Sequence, residues 1–263
     1  MSAPVGASLP AAGSLGVFCF DLGNTRAKLT WLPQSGEPRR LFAAGLEDLL
    51  SALSTESLAA VAQAPQPRLI SSVCAREAAE ELKGCLAGSG PVALNPPHGL
   101  ILEVDTPESV GFDRLFAARG ALEHIQSNAI VVQLGTALTV DAVRWSVDRG
   151  HFLGGAIAPG PSLLAGALHQ GGARLPRIEP RPGVAALGRD TEGALASGVA
   201  VGLAGTARAL VRGIAREAEM EGATIVFTGG ARDFLREALG ELGPALIEDQ
   251  HLLARGMAAG YGG

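Results

Sequence analysis

Lysine is almost missing from this sequence: of its 21 basic residues only Lys28 and Lys83 are lysines, and neither follows a GxxxxGK[ST] loop. A Walker-type phosphate site is therefore excluded. HExxH, GxSxG and a GxGxxG behind an apolar run are also lacking, which removes zincin, serine-hydrolase and dinucleotide-fold readings. The five histidines are scattered and show no metal-ligand spacing. Cysteine is scarce: Cys19, Cys74 and Cys85 stand far apart, without a CxxC pair. An odd, dispersed set argues against a disulfide framework and for a reducing compartment, the cytoplasm. Cys19, inside an apolar run, reads as a small core residue. Net charge is -5, so no basic field exists for nucleic acid or an anionic membrane. Residues 1–14 carry no Lys or Arg ahead of the apolar stretch Leu15–Phe20, so they do not read as a secretory signal but as a flexible tail. No run reaches the ~18 apolar residues that span a bilayer. The nearest, Ala194–Ala207, is uncharged but full of Gly and Ala, and reads as a tightly packed helix.

What is present is apolar residue and glycine. The chain has 263 residues, 47% hydrophobic and 18% charged, which suits a compact protein with a large core. At ~150 residues per domain the length falls between one and two domains, so two lobes are expected. Strands are expected at Gly16–Trp31 (two, around a tight turn), Arg68–Val73, Gly99–Glu103, Ala129–Val143 (two, around Leu134-Gly135-Thr136), His151–Ile157 and Thr224–Phe227. Helices are expected at Leu46–Leu53, Glu56–Gln63, Arg76–Leu86, from Pro107 through Arg114–His124, Ser162–His169, Thr191–Ala218 and Arg232–Leu239. The alternation predicts an α/β protein. The Pro-rich stretch Leu175–Gly183 reads as a surface loop. Val17–Trp31 and Ile130–Val143 are internally similar: each is apolar run, turn, second strand, with Leu22-Gly23 aligned on Leu134-Gly135. This predicts two lobes of like topology.

Five glycine-bearing segments carry candidate chemistry. In Asp21-Leu22-Gly23-Asn24-Thr25-Arg26-Ala27-Lys28, Gly23 allows a tight turn whose N–H groups can face an anion. Asn24 and Thr25 add donors, Asp21 can hold Mg²⁺ through water, and alternation can return Lys28 to the ligand side. The same residues also make an ordinary hairpin. In Gly111-Phe112-Asp113-Arg114, opening a helix, Asp113 can accept the proton of an attacking hydroxyl and Arg114 can bind a carboxylate bidentately. A plain helix start, with Asp113 as cap, fits as well. The others are Gly135-Thr136-Ala137-Leu138-Thr139-Val140-Asp141, then Gly154-Gly155-Ala156-Ile157-Ala158-Pro159-Gly160, and Phe227-Thr228-Gly229-Gly230. Their order is more informative than any one of them.

In that order the sequence resembles the type III pantothenate kinases of the acetate and sugar kinase/Hsc70/actin superfamily, from about Val17 to about Gly260. The family's DxGNT/S turn corresponds to Asp21–Thr25, its GxDR to Gly111–Arg114, its DxGTAxTxD to Gln133–Asp141 and its GGxIxPG to Gly154–Gly160. Thr191, in Gly188-Arg189-Asp190-Thr191, and the turn Thr228-Gly229-Gly230 also match. The resemblance implies an α/β fold of two similar RNase H-like, actin-type ATPase lobes, residues 15–127 and 128–263, with a nucleotide cleft between them. It implies that Asp21–Lys28 and Thr136 line the ATP phosphates and that Asp113 is the proton acceptor. Gly111, Phe112, Asp113, Arg114 and Val104 would bind pantothenate, as would Thr191, supplied by the second subunit of a homodimer. The implied reaction is ATP-dependent phosphorylation of pantothenate to 4′-phosphopantothenate, opening coenzyme A synthesis, with Mg²⁺ and, in many members, K⁺ or NH₄⁺. Two positions depart from the family. Gln133 replaces a carboxylate that ligates the monovalent cation, so that site is expected to be weak or absent. Val104-Asp105-Thr106-Pro107 replaces the usual YxNP. Both departures point to an alternative, a nucleotide-binding regulatory protein on the same fold with lost or altered activity.

Overall fold

A computed structural model of the chain describes residues 8–262 except 12, 56, 57, 75 and 148; most of the expected tail, residues 1–7 and 12, lies outside the described residues. Two compact units emerge. The first takes in the chain up to Leu100, Thr106–His124 and the segment from His251 on; the second takes in Ile101–Asp105 and Ile125–Gln250.

The first unit is built on a five-stranded sheet of β1 (Gly16–Leu22), β2 (Ala27–Pro33), β3 (Arg39–Ala44), β4 (Arg68–Ser72) and β5 (Val92–Leu94), in the order β3-β2-β1-β4-β5. β1 to β3 run antiparallel, and β4 and β5 run parallel to β1. Alternation gives the sheet two apolar faces. One face buries Phe18, Phe20 and Trp31 against Leu49 and Leu53 of α1 (Leu46–Ser54), Val61 of α2 (Ala59–Ala62) and Leu82 of α3 (Arg76–Cys85). In α1 the leucines at 46, 49, 50 and 53 fall on one helical stripe. The other face buries Cys19 and Leu69 under Phe116 of α4 (Phe112–Ile125) and under Ala254 and Met257.

The second unit repeats this plan. Its strands are β6 (Leu100–Leu102), β7 (Ala129–Leu134), β8 (Ala137–Arg144), β9 (Gly150–Pro159), β10 (Thr224–Thr228) and β11 (Leu246–Glu248). Their order is β11-β10-β7-β8-β9-β6. Again the first three strands in sequence from β7 are antiparallel, and the next two run parallel to the first. Apart from the added β6, each sheet places its strands 3-2-1-4-5, so the internal similarity reflects a duplicated topology. The helices are α5 (Pro161–Gly171), α6 (Thr191–Glu217) and α7 (Arg236–Gly240). Leu203, Ala207, Val211 and Ala215 of α6 enter the core with Ile130, Val132 and Val140. Among the described residues α6 alone is long and apolar enough, by length and composition, to cross a membrane. One of its faces is instead packed into the core of its own unit.

The structure differs from the sequence reading in several elements. β3, β5 and β11 were not expected. β5 and β11 are three residues each, and β3 opens on Arg39 and Arg40 and buries the adjacent Leu41 and Phe42 beside a register shift in β2, which erases the alternation. The expected helix at 232–239 is a 3-10 turn (Arg232–Phe234) followed by α7. The boundary drawn at 127/128 also needs correcting: the last helix, α8 (Leu252–Gly262), packs on β1, β2 and β4 of the first unit. Its reason is glycine. A Cβ on Gly256 would lie 1.9 Å from the Phe116 carbonyl oxygen, and one on Gly120 would lie 2.1 Å from that of Leu252, so α4 and α8 touch backbone to backbone.

Arg68, at the start of β4, is fully buried. Its guanidinium donates to the carbonyl oxygens of Ala62 (2.8 Å), Gly88 (3.0 Å) and Gly90, tying two loops to the base of the sheet. Gly256→Ala is expected to lower unfolding stability by about 1–3 kcal/mol, since rigid backbone must yield. Gly213→Ala, where a Cβ would meet nothing within 4 Å inside α6, is expected to gain up to about 1 kcal/mol. Urea unfolding of the two variants beside the parent reads both signs.

Candidate functional site

The carboxyl ends of β1 and β4 and the first turn of α4 bring several expected site residues together within the first unit. Asp21 is the penultimate residue of β1 and pairs in register with Lys28 of β2. Its carboxylate accepts from Lys28 Nζ at 2.8 Å. The intervening turn closes through the Gly23 N–H donating to the Arg26 carbonyl at 3.0 Å. Asn24, Thr25 and Arg26 are exposed, whereas Leu22 and Ala27 are buried and serve the core. Of those two, only the backbone is available to a phosphate.

Asp113 lies in the first turn of α4, where the helix dipole favours a negative charge. Its Oδ1 accepts the N–H of Arg114 at 2.9 Å. A Cβ at position 111 would come within 2.6 Å of that oxygen, so Gly111 leaves room for the carboxylate to fold back over the helix start. Burial pushes the Asp113 carboxyl above the usual carboxylate range. The charge of Asp21 adds to the rise, while the Arg114 N–H and the Arg114 charge oppose it. Phe112, expected to bind substrate, stacks on Phe116 with ring centroids 5.9 Å apart, so its side chain is occupied in packing.

The loop after β4 also belongs to this region, although no sequence motif marks it. The Val73 N–H donates to the Leu22 carbonyl (3.2 Å), the Ser72 N–H to Asn95 Oδ1 (3.0 Å), and Ser72 Oγ accepts the Cys74 N–H (3.2 Å). Asn95, just past β5, adopts φ +45° to do this. Only the polar ending of an apolar strand, Ser71-Ser72, hinted at such a role. Ser71 is 1% exposed, and its hydroxyl has no hydrogen-bond partner among the described residues. The Cys74 thiol points at the Leu22 carbonyl at 3.4 Å, and burial, then the Asp21 charge, raise its pKa. The Cys19 thiol faces the Ala254 carbonyl at 3.6 Å, and burial raises its pKa strongly. Neither is an activated nucleophile.

The second unit holds the remaining expected residues: Val104, Gln133, Thr136 and Thr191. Its glycine turns converge. Gly160 donates its N–H to the Thr136 carbonyl at 2.9 Å, and Ala231, just past Gly229-Gly230, donates its own to Leu134 at 3.1 Å. A Cβ on Gly160 would meet the Gly135 carbonyl at 2.4 Å, and one on Gly229 (φ +113°) that of Leu134 at 2.1 Å. Thr136 is exposed at this meeting point. Gln133 occupies the position in β7 that Asp21 occupies in β1, and its Nε2 donates to Thr139 Oγ1 at 3.4 Å. Thr191 opens α6, whose N-cap Asp190 accepts the Gly193 N–H at 2.7 Å. Val104 packs beside Gly154, 3.4 Å from where a Cβ would stand.

Among the described residues no three His, Cys, Asp or Glu side chains gather as a metal cage. The carboxylates of Asp21 and Asp113 and the unpartnered Ser71 hydroxyl are hard oxygen donors. They suit a Mg²⁺ ion that keeps several waters and is held largely by phosphate oxygens.

Comparison with known proteins bears on the family of the chain. The type III pantothenate kinase of Thermus thermophilus is 42% identical over 140 residues, 52% of this chain and 54% of that protein. The enzyme of that name from Streptomyces avermitilis is 36% identical over 169 residues, 62% of this chain and 60% of its own. The chain thus spans little more than half the length of these relatives. Among solved structures, a Baf family transcriptional activator from Campylobacter jejuni superposes with TM-score 0.57 at 20% identity, covering 92% of this chain and 96% of that one. A 2-dehydro-3-deoxygalactonokinase protein from Sinorhizobium meliloti gives TM-score 0.53 at 15% identity over 93% and 97%. These two likenesses show that the fold is shared with those proteins, and the fold alone. The family model for type III pantothenate kinase matches residues 17–213, a span that holds the Asp21 turn, the start of α4, the Thr136 turn and the N-terminus of α6, and the chain belongs to that family.

Proposed function

We propose that the protein transfers the γ-phosphoryl group of ATP to pantothenate, giving 4′-phosphopantothenate and ADP in a reducing, cytoplasmic setting. The observation that carries this reading is Asp113, a half-buried carboxylate at a helix start beside Arg114 and within electrostatic reach of Asp21. In the proposed reaction the pantothenate hydroxyl oxygen bonds to the γ-phosphorus. Its proton passes to Asp113, and the bond from that phosphorus to the β-γ bridging oxygen breaks. Arg114 pairs with the substrate carboxylate. Gly111 and Thr191 complete the substrate contacts. Lys28, the N–H groups of the 23–26 turn and Thr136 carry the phosphates. Mg²⁺, held through water by Asp21, would offset phosphate charge when bound. Such a transfer needs positioning and charge stabilisation more than covalent participation of the protein.

The reading is tested by a coupled ADP-release assay with and without pantothenate, with the phosphorylated product weighed by mass spectrometry. Nucleotide binding without pantothenate-dependent ADP release would favour the regulatory alternative, which Gln133 and its amide contact to Thr139 keep in play.

Asp113 acts as a base only when ionised, and burial raises its pKa. Turnover is therefore expected to fall with decreasing pH through a limb lying above the ordinary carboxylate range. Asp113→Asn should cut kcat by about 10²- to 10⁴-fold and abolish that limb. A folded-state pKa above the unfolded one means that ionised Asp113 costs stability as pH rises. The same variant should therefore unfold at neutral pH no earlier than the parent. Thermal unfolding and a pH–rate profile give both readouts.

Gln133 predicts weak response to monovalent cations. Two unit charges ~4 Å apart attract by about 4 kcal/mol at an effective dielectric of ~20, and an amide forfeits most of this. KCl titrated against choline chloride at constant ionic strength should leave the rate almost unchanged. Saturable several-fold activation by K⁺ would contradict the assignment.

The active unit is proposed to be a homodimer, with α6 as the pairing element and Thr191 reaching the partner's site. Ala194, Gly198, Val201 and Gly202 are exposed along α6, small enough for close helix approach. Sedimentation velocity at assay concentration should show a dimer, and full activity from a monomer would refute it.

A further inference from the structure

Strand register places Lys28, Asp21 and Ser71 in one row across β2, β1 and β4, because Asp21 pairs with both of the others. Paired residues on adjacent strands share a face. Two residues back, Cys19 and Leu69 share that face and lie under Phe116 of α4. Ser71 is thus on the side of the sheet that α4 covers, level with Asp21, and Asp113 opens α4. The three side chains of the row are provided for unequally. Lys28 and Asp21 hold each other at 2.8 Å. Ser71 is 1% exposed, and its hydroxyl has no partner among the described residues. The neighbouring Ser72 shows the contrast, since its hydroxyl accepts the Cys74 N–H. A buried hydroxyl left unmatched costs stability, so an alanine would serve the fold at least as well. The hydroxyl's use is to be sought in a ligand.

We propose that Ser71 is a positioning residue for the hydrated divalent cation that accompanies the nucleotide, holding through its hydroxyl a water that Asp21 also holds. The proposal rests on the kinase reading above. Mg²⁺ dehydrates reluctantly and is commonly gripped through its waters, which need fixed acceptors and donors around them. Asp21 supplies only acceptors, and one of its oxygens is engaged by Lys28. A serine hydroxyl both accepts and donates, and can orient a water that a carboxylate alone leaves free to turn. The equivalent row of the second unit, Thr139–Gln133–Thr228, has neither a carboxylate nor an ammonium group, and its central amide is hydrogen-bonded to its neighbour. The charged row is the one suited to a cation.

The test is calorimetric titration of a non-hydrolysable ATP analogue into the parent, Ser71→Ala and Ser71→Thr, once in excess Mg²⁺ and once in EDTA, together with urea unfolding of the ligand-free proteins. Ser71→Ala is expected to bind the analogue about three- to ten-fold more weakly in Mg²⁺ and equally well in EDTA. Ser71→Thr, which keeps the hydroxyl, should recover most of the loss. The unfolding midpoint of Ser71→Ala should be unchanged or higher. Equal loss in both arms, no loss in either, or a lowered midpoint would overturn the proposal. Pantothenate-dependent ADP release by the parent, measured alongside, decides the kinase reading separately, because analogue binding does not require pantothenate.

Discussion

Two carboxylates at one end of a sheet repel each other, and burial penalises each further. The first unit manages this by giving them different compensations. Asp21 is matched by the Lys28 ammonium directly across the strand pair. Asp113 is given a backbone N–H, the N-terminal end of α4 and the Arg114 charge, and these only partly offset its desolvation and the field of Asp21. The result is one group held in an ion pair and one whose affinity for a proton is raised. That asymmetry separates a group suited to standing beside phosphates and a cation from one suited to receiving a proton. The details around them follow from it: glycine at 111 so that the carboxylate fits, the short turn at 23–26 so that Lys28 returns to face Asp21, and the β4 loop tied to Leu22 and Asn95.

The duplicated topology shows how the same scaffold is used twice with different electrostatics. Both sheets carry a strand–turn–strand beginning, and both place a polar side chain at the same position before the turn. In the first unit the row across the sheet is ammonium, carboxylate, hydroxyl; in the second it is hydroxyl, amide, hydroxyl. Where the first unit uses charge, the second uses glycine. Gly160 and Gly229 bring two further loops onto the backbone of the Gly135–Thr136 turn with no space for side chains.

The elements with strong patterns were legible from sequence: the two hairpins, the long α6, the leucine stripe of α1 and the glycine turns. The order of those turns was enough to suggest the family. What escaped was set by tertiary contact. β5 and β11 are too short to show a period, and β3 loses its alternation where Leu41 and Phe42 are both buried. Ser71, Asn95 and the carbonyl-holding Arg68 have no local signature, because each acquires its role from residues brought near by another strand or loop. Leu22, Ala27 and Phe112 show the opposite limit. They sit inside motifs that read as functional, yet their side chains belong to packing.

The placement of α8 bears on the order of events during synthesis. The face of the first sheet that carries Cys19 and Leu69 is covered partly by α4 and partly by Ala254 and Met257 of α8. Between α4 and α8 the ribosome must make residues 126–251, which contain all the strands of the second unit except the short β6. Until then the sheet bearing Asp21 and Ser71 keeps an apolar strip open to water. The second unit, nearly continuous in sequence, has no such wait. Synthesis from the N-terminus usually lets the first-made domain fold first. Here the second unit has all its strands before α8 is made, and the core of the unit that carries Asp113 needs α8 to be complete.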